Sequence, residues 1–478
     1  MKRSGPFDRR TKIVCTIGPA TSSAAVIGQL MKAGMNVARL NLSHGTYREH
    51  ARYIETIRKL SHRLEIPVAV LVDLPGPKYR TGKLKDGQAK LKEGDEIILT
   101  TRRVRGGGGV IPVNLPSLAQ DVSVGDTVLL DDGAMQLKVL ERQGTEVRCK
   151  VVIGGILTEK RGLVVPEMRI SGPFITDTLR ESIFFAVEQG CDYLALSFVG
   201  DAKDVTRVKA LLHENDADIP VIAKIERGRA VDRFDSILRA SDAIMVARGD
   251  LGVDIRLERV PLVQKEIIRK CNQTGTPVIT ATQMMESMVD ASSPTRAEVA
   301  DVANAIFDGT DAVMLSAETS IGKYPVQAVR MMAKIARETE NELPYDQMLS
   351  ERGKWAGQKT DELISYSACY TAHSLRAAAI VASTQSGSTA GRLSKYRPRT
   401  PVLAIAPDAV VVGRLILRWG VYPFRMAGAS SVDELFSIAR KLSRELGLAK
   451  SGDLIVITGG IPVGVAGSTN LLKVEKVQ

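Results

Sequence analysis

The feature that most narrows the possible folds is an eightfold recurrence of a short apolar run followed by an amphipathic stretch. The runs are Lys12–Ile17, Asn36–Asn41, Val68–Asp73, Asp192–Phe198, Pro220–Ile225, Asp242–Ala247, Pro277–Ala281 and Ala312–Ser316. Each is short, apolar and ends in polar residues or glycine, which reads as a buried strand. Between them, Ala25–Ala33, His50–Leu64, Asp204–Glu214, Val260–Thr274 and Arg296–Phe307 carry apolar residues at a spacing of three and four. That spacing predicts helices with one buried face. Strands apolar on both faces, alternating with helices, predict a parallel sheet covered by helices. Eight such units predict a closed (β/α)8 TIM barrel, whose functional groups gather at the C-terminal ends of its strands.

The recurrence is broken once. From about Tyr79 to Arg169 the pattern changes to short strands with glycine-bearing turns such as Lys92-Glu-Gly-Asp95, Val124-Gly-Asp-Thr127 and Asp131-Asp-Gly133. This predicts a small all-β domain inserted in a barrel loop, placed where it can act as a lid. After a helix over Val326–Leu343, the polar stretch Met348–Thr360 marks a boundary. Strands at Ala377–Ser383, Pro401–Ala406 and Asp453–Thr458 then predict a C-terminal open α/β domain. The expected division is a barrel over 1–77 and 170–345, a β-barrel-like lid over 78–169, and a C-terminal domain over 346–478.

Composition excludes several function classes. Hydrophobic content of 44% and charged content of 25% are those of a globular protein. No apolar run approaches the ~20 residues that span a bilayer, and the first ten residues lack the apolar core of a secretory signal. The five cysteines stand far apart, which argues for a reducing compartment and against a thiolate metal site. The net charge of +11 is spread along the chain, and aromatics are only 4%. That is poor material for base stacking and better suited to attracting small anions, so nucleic-acid binding is not expected.

The chemistry concentrates at strand ends. Lys224 and Glu226 close the fifth run, and Asp250 follows the sixth. On neighbouring parallel strands the two carboxylates converge at one rim with Lys224 beside them. Two carboxylates, with water and substrate oxygens completing the shell, suit Mg²⁺, and a cation plus a lysine suits a phosphorylated substrate. Singly these features are bland. A lysine and a glutamate two apart on a strand are commonly a surface ion pair, and Arg-Gly-Asp is commonly a turn. Thr280 and Thr282 suit a strand in any case, His44 fits a core histidine with a bonded ring, and Met284, Met285 and Met288 fit packing.

Read together, Arg39-Leu-Asn-Leu-Ser-His-Gly45, Asp73-Leu-Pro-Gly-Pro-Lys-Tyr-Arg80, Ala223-Lys-Ile-Glu226, Ala247-Arg-Gly-Asp-Leu-Gly252, Thr280-Ala-Thr-Gln-Met-Met-Glu-Ser-Met288 and Met314-Leu-Ser-Ala-Glu-Thr319 resemble the pyruvate kinase family in order and spacing. The resemblance extends over essentially the whole chain, and the start resembles bacterial-type members lacking an extra N-terminal domain. It implies transfer of the phosphoryl group of phosphoenolpyruvate to ADP, giving pyruvate and ATP, by a cytoplasmic homotetramer under allosteric control. It implies catalytic roles for Lys224, Arg39, Thr282 and Ser316, and substrate contacts from Arg39, Arg80, Lys224, Arg248, Gly249, Asp250 and Thr282. Glu226 and Asp250 become the ligands of Mg²⁺ (or Mn²⁺). A threonine hydroxyl is a poor acid, so protonation of the enolate is expected through a relay with ordered water, with Ser316 as a member.

The positions matching the family's monovalent-cation site are Asn41, Ser43, Asp73 and the carbonyl of Leu74. Potassium-dependent members carry a glutamate where this chain has Lys78, so an ammonium there is expected to replace K⁺. Ser383, Thr384, Gln385, Ser386, Gly387, Ser388 and Thr389 form a hydroxyl-rich loop ahead of a helix over Ala390–Lys395. Such a loop is either an N-cap-rich turn or a phosphate cradle. The resemblance implies the cradle, with Gly459–Gly467 as its second wall and a phosphorylated sugar or nucleotide monophosphate as activator. A Mg²⁺-dependent barrel lyase or aldolase acting on phosphoenolpyruvate or pyruvate is the rival. It accounts for the carboxylates but not for the lid or the phosphate loop. A regulatory binder that has lost catalysis conflicts with the intact Lys224, Glu226, Asp250 and Thr282.

Overall fold

The computed structural model describes residues 7–76, 79–114, 116–166, 168, 171–427, 429, 431–462 and 469–478. Eight parallel strands close a barrel in sequence order: Lys12–Thr16, Val37–Asn41, Ala69–Leu74, Tyr193–Leu196, Val221–Ile225, Ala243–Ala247, Val278–Ala281 and Ala312–Leu315. The last pairs with the first, placing Lys12 opposite Ala312 and Cys15 opposite Leu315. Every strand lies within two residues of its predicted run at either end. Alternation of side chains across each strand sorts the apolar residues into two layers. Val14, Leu71, Ile222, Met245, Ile279 and Met314 fill the interior, and Ile416 and Leu417 of the C-terminal domain complete that layer at the floor. The opposite faces pack under the surrounding helices in the largest core of the molecule.

The helices start and stop where local chemistry requires. Thr46 with Glu49, and Thr295 with Glu298, form reciprocal caps that satisfy otherwise orphaned amides. The helix Arg296–Asp308 ends on Gly309 at φ +97°. A Cβ there would lie 2.6 Å from Asn272 Nδ2, so both backbone and space demand glycine.

Between the third and fourth barrel strands the chain builds a seven-stranded sheet, running from Tyr79–Arg80 to Gly162–Val164, and a two-stranded ribbon. This unit has its own core, including Leu99, Val128, Leu137 and Val147. A short helix, Leu118–Asp121, is its one departure from β structure among the described residues. The C-terminal sheet is ordered Val421–Arg425, Val402–Ala406, Ala379–Ser383, Leu454–Gly460, Thr469–Lys476. The first four strands are parallel and the last antiparallel.

The two outer strands of that sheet escape the sequence reading for identifiable reasons. Val421–Arg425 contains Pro423, which an edge strand tolerates and a central strand does not. Thr469–Lys476 is an edge strand with little fully buried surface, so its charge masks its period. The polar stretch Met348–Thr360 opens on the helix Tyr345–Gly353, which buries Leu349 and Arg352. All five cysteines are buried and free. No described helix is long and apolar enough to cross a membrane.

Candidate active site

The barrel brings side chains from separate strand ends into one buried network. Arg39, central in the second strand, points inward and donates from Nε to Asp73 Oδ2 at 2.7 Å and from Nη1 to Thr16 Oγ1 at 2.8 Å. Asp73, near the end of the third strand, is 1% exposed. Lys224, on the fifth strand, donates to Asp73 Oδ1 at 3.1 Å and to Ser197 Oγ at 2.8 Å, and its Nζ lies 2.9 Å from Glu226 Oε1. Asp73 therefore ties the two cations together, and Glu226 ends the chain of contacts.

Burial opposes charge throughout, and the partners decide the outcome. It drives Lys224 toward the neutral amine, but Asp73 and Glu226 outweigh it and hold the ammonium above its ordinary range. Burial likewise opposes ionisation of Asp73, yet Lys224 and Arg39 pull its carboxyl below the usual range. Glu226 goes the other way: burial raises it, Lys224 opposes, and Asp250 raises it further. The last effect puts Asp250 within electrostatic reach of Glu226, as its strand position predicts. A second carboxylate facing a buried one favours a bound cation between them. Among the described residues no cluster of three or more acidic, histidine or cysteine side chains forms a complete metal site. The donor set thus fits a hard ion that takes its remaining oxygens from substrate and water.

Backbone strain sits at the same rim. Phe198 has φ +57° and Thr282 φ +63°, conformations uncommon for any residue with a Cβ and rarest for a β-branched one. Phe198 is held there by its amide, which donates to Glu226 Oε2 at 2.6 Å. Thr282 is held by Arg248, whose Nη2 donates to the carbonyls of Thr282 at 2.8 Å and Gln283 at 2.9 Å. Arg248 also pairs with Asp301 at 2.7 Å, so its guanidinium shapes the loop from beneath. The Thr282 hydroxyl accepts from the Gly249 amide at 2.8 Å and donates to the Ala281 carbonyl at 2.7 Å. Gly249 thus spends its amide on Thr282, and a Cβ there would make only ordinary contact with that hydroxyl, at 3.5 Å.

Residues 8–329 match the family model described as "Pyruvate kinase, barrel domain", and residues 362–475 match "Pyruvate kinase, alpha/beta domain". The chain belongs to the pyruvate kinase family. It is 48% identical over 472 residues to the pyruvate kinase of Geobacillus stearothermophilus, covering 98% of this chain and 80% of that one. Against the pyruvate kinase of Staphylococcus aureus it is 45% identical over 471 residues, again covering 98% and 80%. The crystal structure of a pyruvate kinase from Cryptosporidium parvum superposes with a TM-score of 0.94 at 35% identity, over 99% of this chain and 97% of that one. The rival reading as a barrel lyase or aldolase is thereby set aside.

The remaining candidate residues of this pyruvate kinase chain are distributed as follows. Arg80 lies at the base of the lid, its amide bonded to Asn114 Oδ1 at 2.7 Å and its guanidinium to the Lys160 carbonyl at 3.2 Å. Burial, Arg80 and Arg39 together lower His44, so the lid arginine reaches across to the rim. His44 itself is exposed, contrary to expectation; the buried histidine is His50, whose Nε2 bonds the His44 carbonyl at 2.8 Å. Met284, Met285 and Met288 are fully buried, as packing requires. Asn41 Oδ1 accepts from the Ser43 amide at 3.1 Å, and Leu74 is buried. Lys78 lies outside the described residues, as does 463–467 of the second effector wall.

Sequence reasoning passed over Ser197, Phe198 and Glu318. The last is 3% exposed and accepts from the amides of Ser316 at 2.6 Å and Met285 at 3.1 Å, clamping the loops after the seventh and eighth strands together. Its place inside the quoted Met314–Thr319 motif was the available signal. Ser316 Oγ is buried without a hydrogen-bond partner among the described residues. In the C-terminal domain, Gly387 adopts φ +86° and donates to Thr384 Oγ1 at 3.0 Å. The helix Ser388–Lys395 follows directly, and Thr389 bonds Thr469 at 2.7 Å.

Proposed function

We propose that the rim built by Arg39, Lys224, Glu226, Asp250 and Thr282 carries out the family's reaction: the phosphoryl group of phosphoenolpyruvate passes to ADP, giving pyruvate and ATP. The observation that carries this assignment is the buried chain from Arg39 through Asp73 and Lys224 to Glu226. It fixes two cations where phosphate charge must be stabilised. Phosphoryl transfer requires mainly positioning and electrostatic stabilisation, and both are best supplied by groups that need not reorganise.

Arg39 and Lys224 face the phosphoryl group, and Lys224 also stabilises the enolate left behind. Arg80 adds a third cation from the lid. Glu226 and Asp250 would hold Mg²⁺ or Mn²⁺, which when bound neutralises phosphate charge and orients the substrate. Arg248 acts as a positioning residue that keeps Thr282 in its unusual conformation. Both bonds of the Thr282 hydroxyl are taken, so a proton reaches the enolate by exchange through water, with the spare Ser316 hydroxyl as a relay member.

The expected test is Glu226→Gln in an assay of pyruvate release. It keeps shape and removes charge, so kcat should fall by on the order of 10²–10³, with the divalent-ion requirement shifted upward. Activity equal to that of the parent chain would refute the metal assignment.

Potassium independence belongs to the same reading. Both oxygens of Asp73 already meet cations, Arg39 and Lys224, and Lys78 in the sequence supplies a further ammonium. Rates in sodium or Tris salts should change less than tenfold on adding K⁺; a larger rise removes this part. Also proposed are the domain division at 77/78, 169/170 and 345/346, a cytoplasmic homotetramer, and the Ser383–Thr389 loop as the seat of an activator's phosphate.

A further inference from the structure

Both oxygens of Glu226 are engaged within the protein. Oε1 lies 2.9 Å from Lys224 Nζ, and Oε2 accepts the Phe198 amide at 2.6 Å. The first contact joins opposite charges and holds by itself. The second depends on a bend in the main chain. Phe198 stands at φ +57°, and that left-handed turn aims its amide at the carboxylate. A bulky residue keeps such a backbone only where its surroundings hold it there.

The hold on Phe198 comes from two segments. Arg227 follows Glu226 directly and stands in extended conformation ahead of the helix Gly228–Asp232. Its side chain reaches back to the end of the fourth strand, where its Cζ lies over the Phe198 ring, 5.1 Å from the centroid. A guanidinium over an aromatic face is attracted by the ring's quadrupole, the more so when partly withdrawn from water, as here. Gly76, on the chain entering the lid, packs against the same ring. A Cβ there would fall 2.5 Å from Phe198 Cδ2 and 2.9 Å from Ser197 Cβ, so the ring has no room to swing toward that segment.

We propose that Arg227 is a positioning residue for the metal ligand beside it: by holding the Phe198 ring it keeps the Phe198 amide on Glu226 Oε2, and so fixes the plane of the carboxylate that, with Asp250, takes the divalent ion. The proposal rests on the reading of Glu226 as a metal ligand. The contacts close a ring. Glu226 Oε2 meets the Phe198 amide, the Phe198 side chain meets Arg227, and Arg227 is joined to Glu226 by one peptide bond. Partners that orient a ligating carboxylate affect metal affinity nearly as strongly as the ligand itself.

A competing role for Arg227 has the opposite sign. It lines a small cleft with Glu226, Asp250 and Asp254, and its charge is felt by Glu226 and Asp254. A guanidinium at that distance repels a dication. If charge were its whole effect, neutralising it would tighten metal binding. As a positioning residue it does the reverse, and its loss loosens the ion although a repelling charge has gone.

The test is titration of the full chain with Mn²⁺, reading the free ion by electron paramagnetic resonance, for the parent chain and Arg227→Gln, Arg227→Lys, Phe198→Leu, Arg227→Gln with Phe198→Leu, and Glu226→Gln. Arg227→Gln should weaken Mn²⁺ binding about fivefold. Arg227→Lys keeps a cation for the ring and should stay within about twofold of the parent. Phe198→Leu removes the ring but not the charge, and should weaken binding at least as much as Arg227→Gln. The double variant should be no weaker than Phe198→Leu alone, because both changes break one contact. Saturating Mn²⁺ should bring kcat of Arg227→Gln back to within a few-fold of the parent, since Arg227 acts through Glu226. Arg227 is partly exposed, so its two variants serve even where Phe198→Leu does not fold. Unchanged or tighter Mn²⁺ binding in Arg227→Gln overturns the proposal, as does a loss of kcat that no Mn²⁺ concentration restores. If Glu226→Gln weakens Mn²⁺ binding while Arg227→Gln does not, only the positioning role falls. If Glu226→Gln binds Mn²⁺ like the parent, the metal assignment falls and this proposal with it.

Discussion

The two ends of one barrel treat buried charge in opposite ways. At the rim, Arg39, Asp73, Lys224 and Glu226 bond mainly to one another, side chain to side chain, and the series ends facing Asp250. At the floor, charge is tied to backbone. Arg397 Nη1 pairs with Asp311 at 2.6 Å, and its Nη2 reaches Asn272 and the Gly309 carbonyl, each at 2.8 Å. Asp311 also accepts from the amides of Trp419 and Val278. Glu340 receives the amides of Arg10 at 2.7 Å and Thr11 at 2.6 Å. Charges locked to backbone amides and carbonyls hold segments together. Charges bonded to other charges remain responsive to a ligand's phosphate.

The contrast predicts a double dissociation. Lys224→Met should lower kcat by on the order of 10³-fold, since it removes a pre-placed charge from the transition state. The thermal midpoint should fall less than in the floor variant described next, because Asp73 keeps Arg39 and Glu226, whose carboxyl burial already raises, can take up a proton. A large loss of stability in this variant would mean that the rim is structural after all. Arg397→Ala should do the reverse. Leaving Asp311 buried beside fewer partners should cost about 3–5 kcal/mol in urea unfolding, while the folded fraction retains kcat within a few-fold. Equal loss of stability and of kcat there would erase the distinction between the two ends.

A smaller effect sharpens the comparison through pH. Lys12 is buried at the floor, donating to the Val421 carbonyl at 2.5 Å and lying over the Tyr422 ring. Burial drives it from 10.5 down to about 7, with Arg9 adding to the fall and Glu340 and Asp311 opposing it. Between about pH 7 and 10.5 the unfolded chain therefore binds the extra proton. The side chain makes stability rise with pH across that window and adds no slope below it. Lys12→Met should flatten the rise by up to about 1.4 kcal/mol per pH unit, read from midpoints at pH 7 and 9. An unchanged slope would mean that Lys12 stays charged in the folded state.

Most of the architecture was legible because it rests on periodicity and local chemistry. The eight barrel strands are apolar on both faces, and no competing pattern obscures them. The C-terminal edge strands were not legible, since Pro423 and the charged run Lys473–Lys476 imitate loop composition. At the site, residues with a direct chemical signature stood out: Lys224, Glu226 and Asp250. Those that act by geometry did not. Ser197 is an unremarkable serine until Lys224 is seen 2.8 Å away. Glu318 reads as a helix residue until two loops are found hanging from it. His44 and His50 are six apart, and which of them the fold buries depends on the register of a helix that begins at Tyr47.

Ile416 and Leu417 carry a consequence for how this chain is made. They close the bottom of a barrel whose eighth strand ended a hundred residues earlier, at Leu315. On a ribosome, all eight strands are therefore synthesised well before their stopper emerges. Until it does, the nascent barrel presents an open apolar socket to solvent, a surface of the kind that chaperones hold and aggregates recruit. The barrel of such a chain cannot be cut free by severing a linker, because part of its lining is encoded downstream.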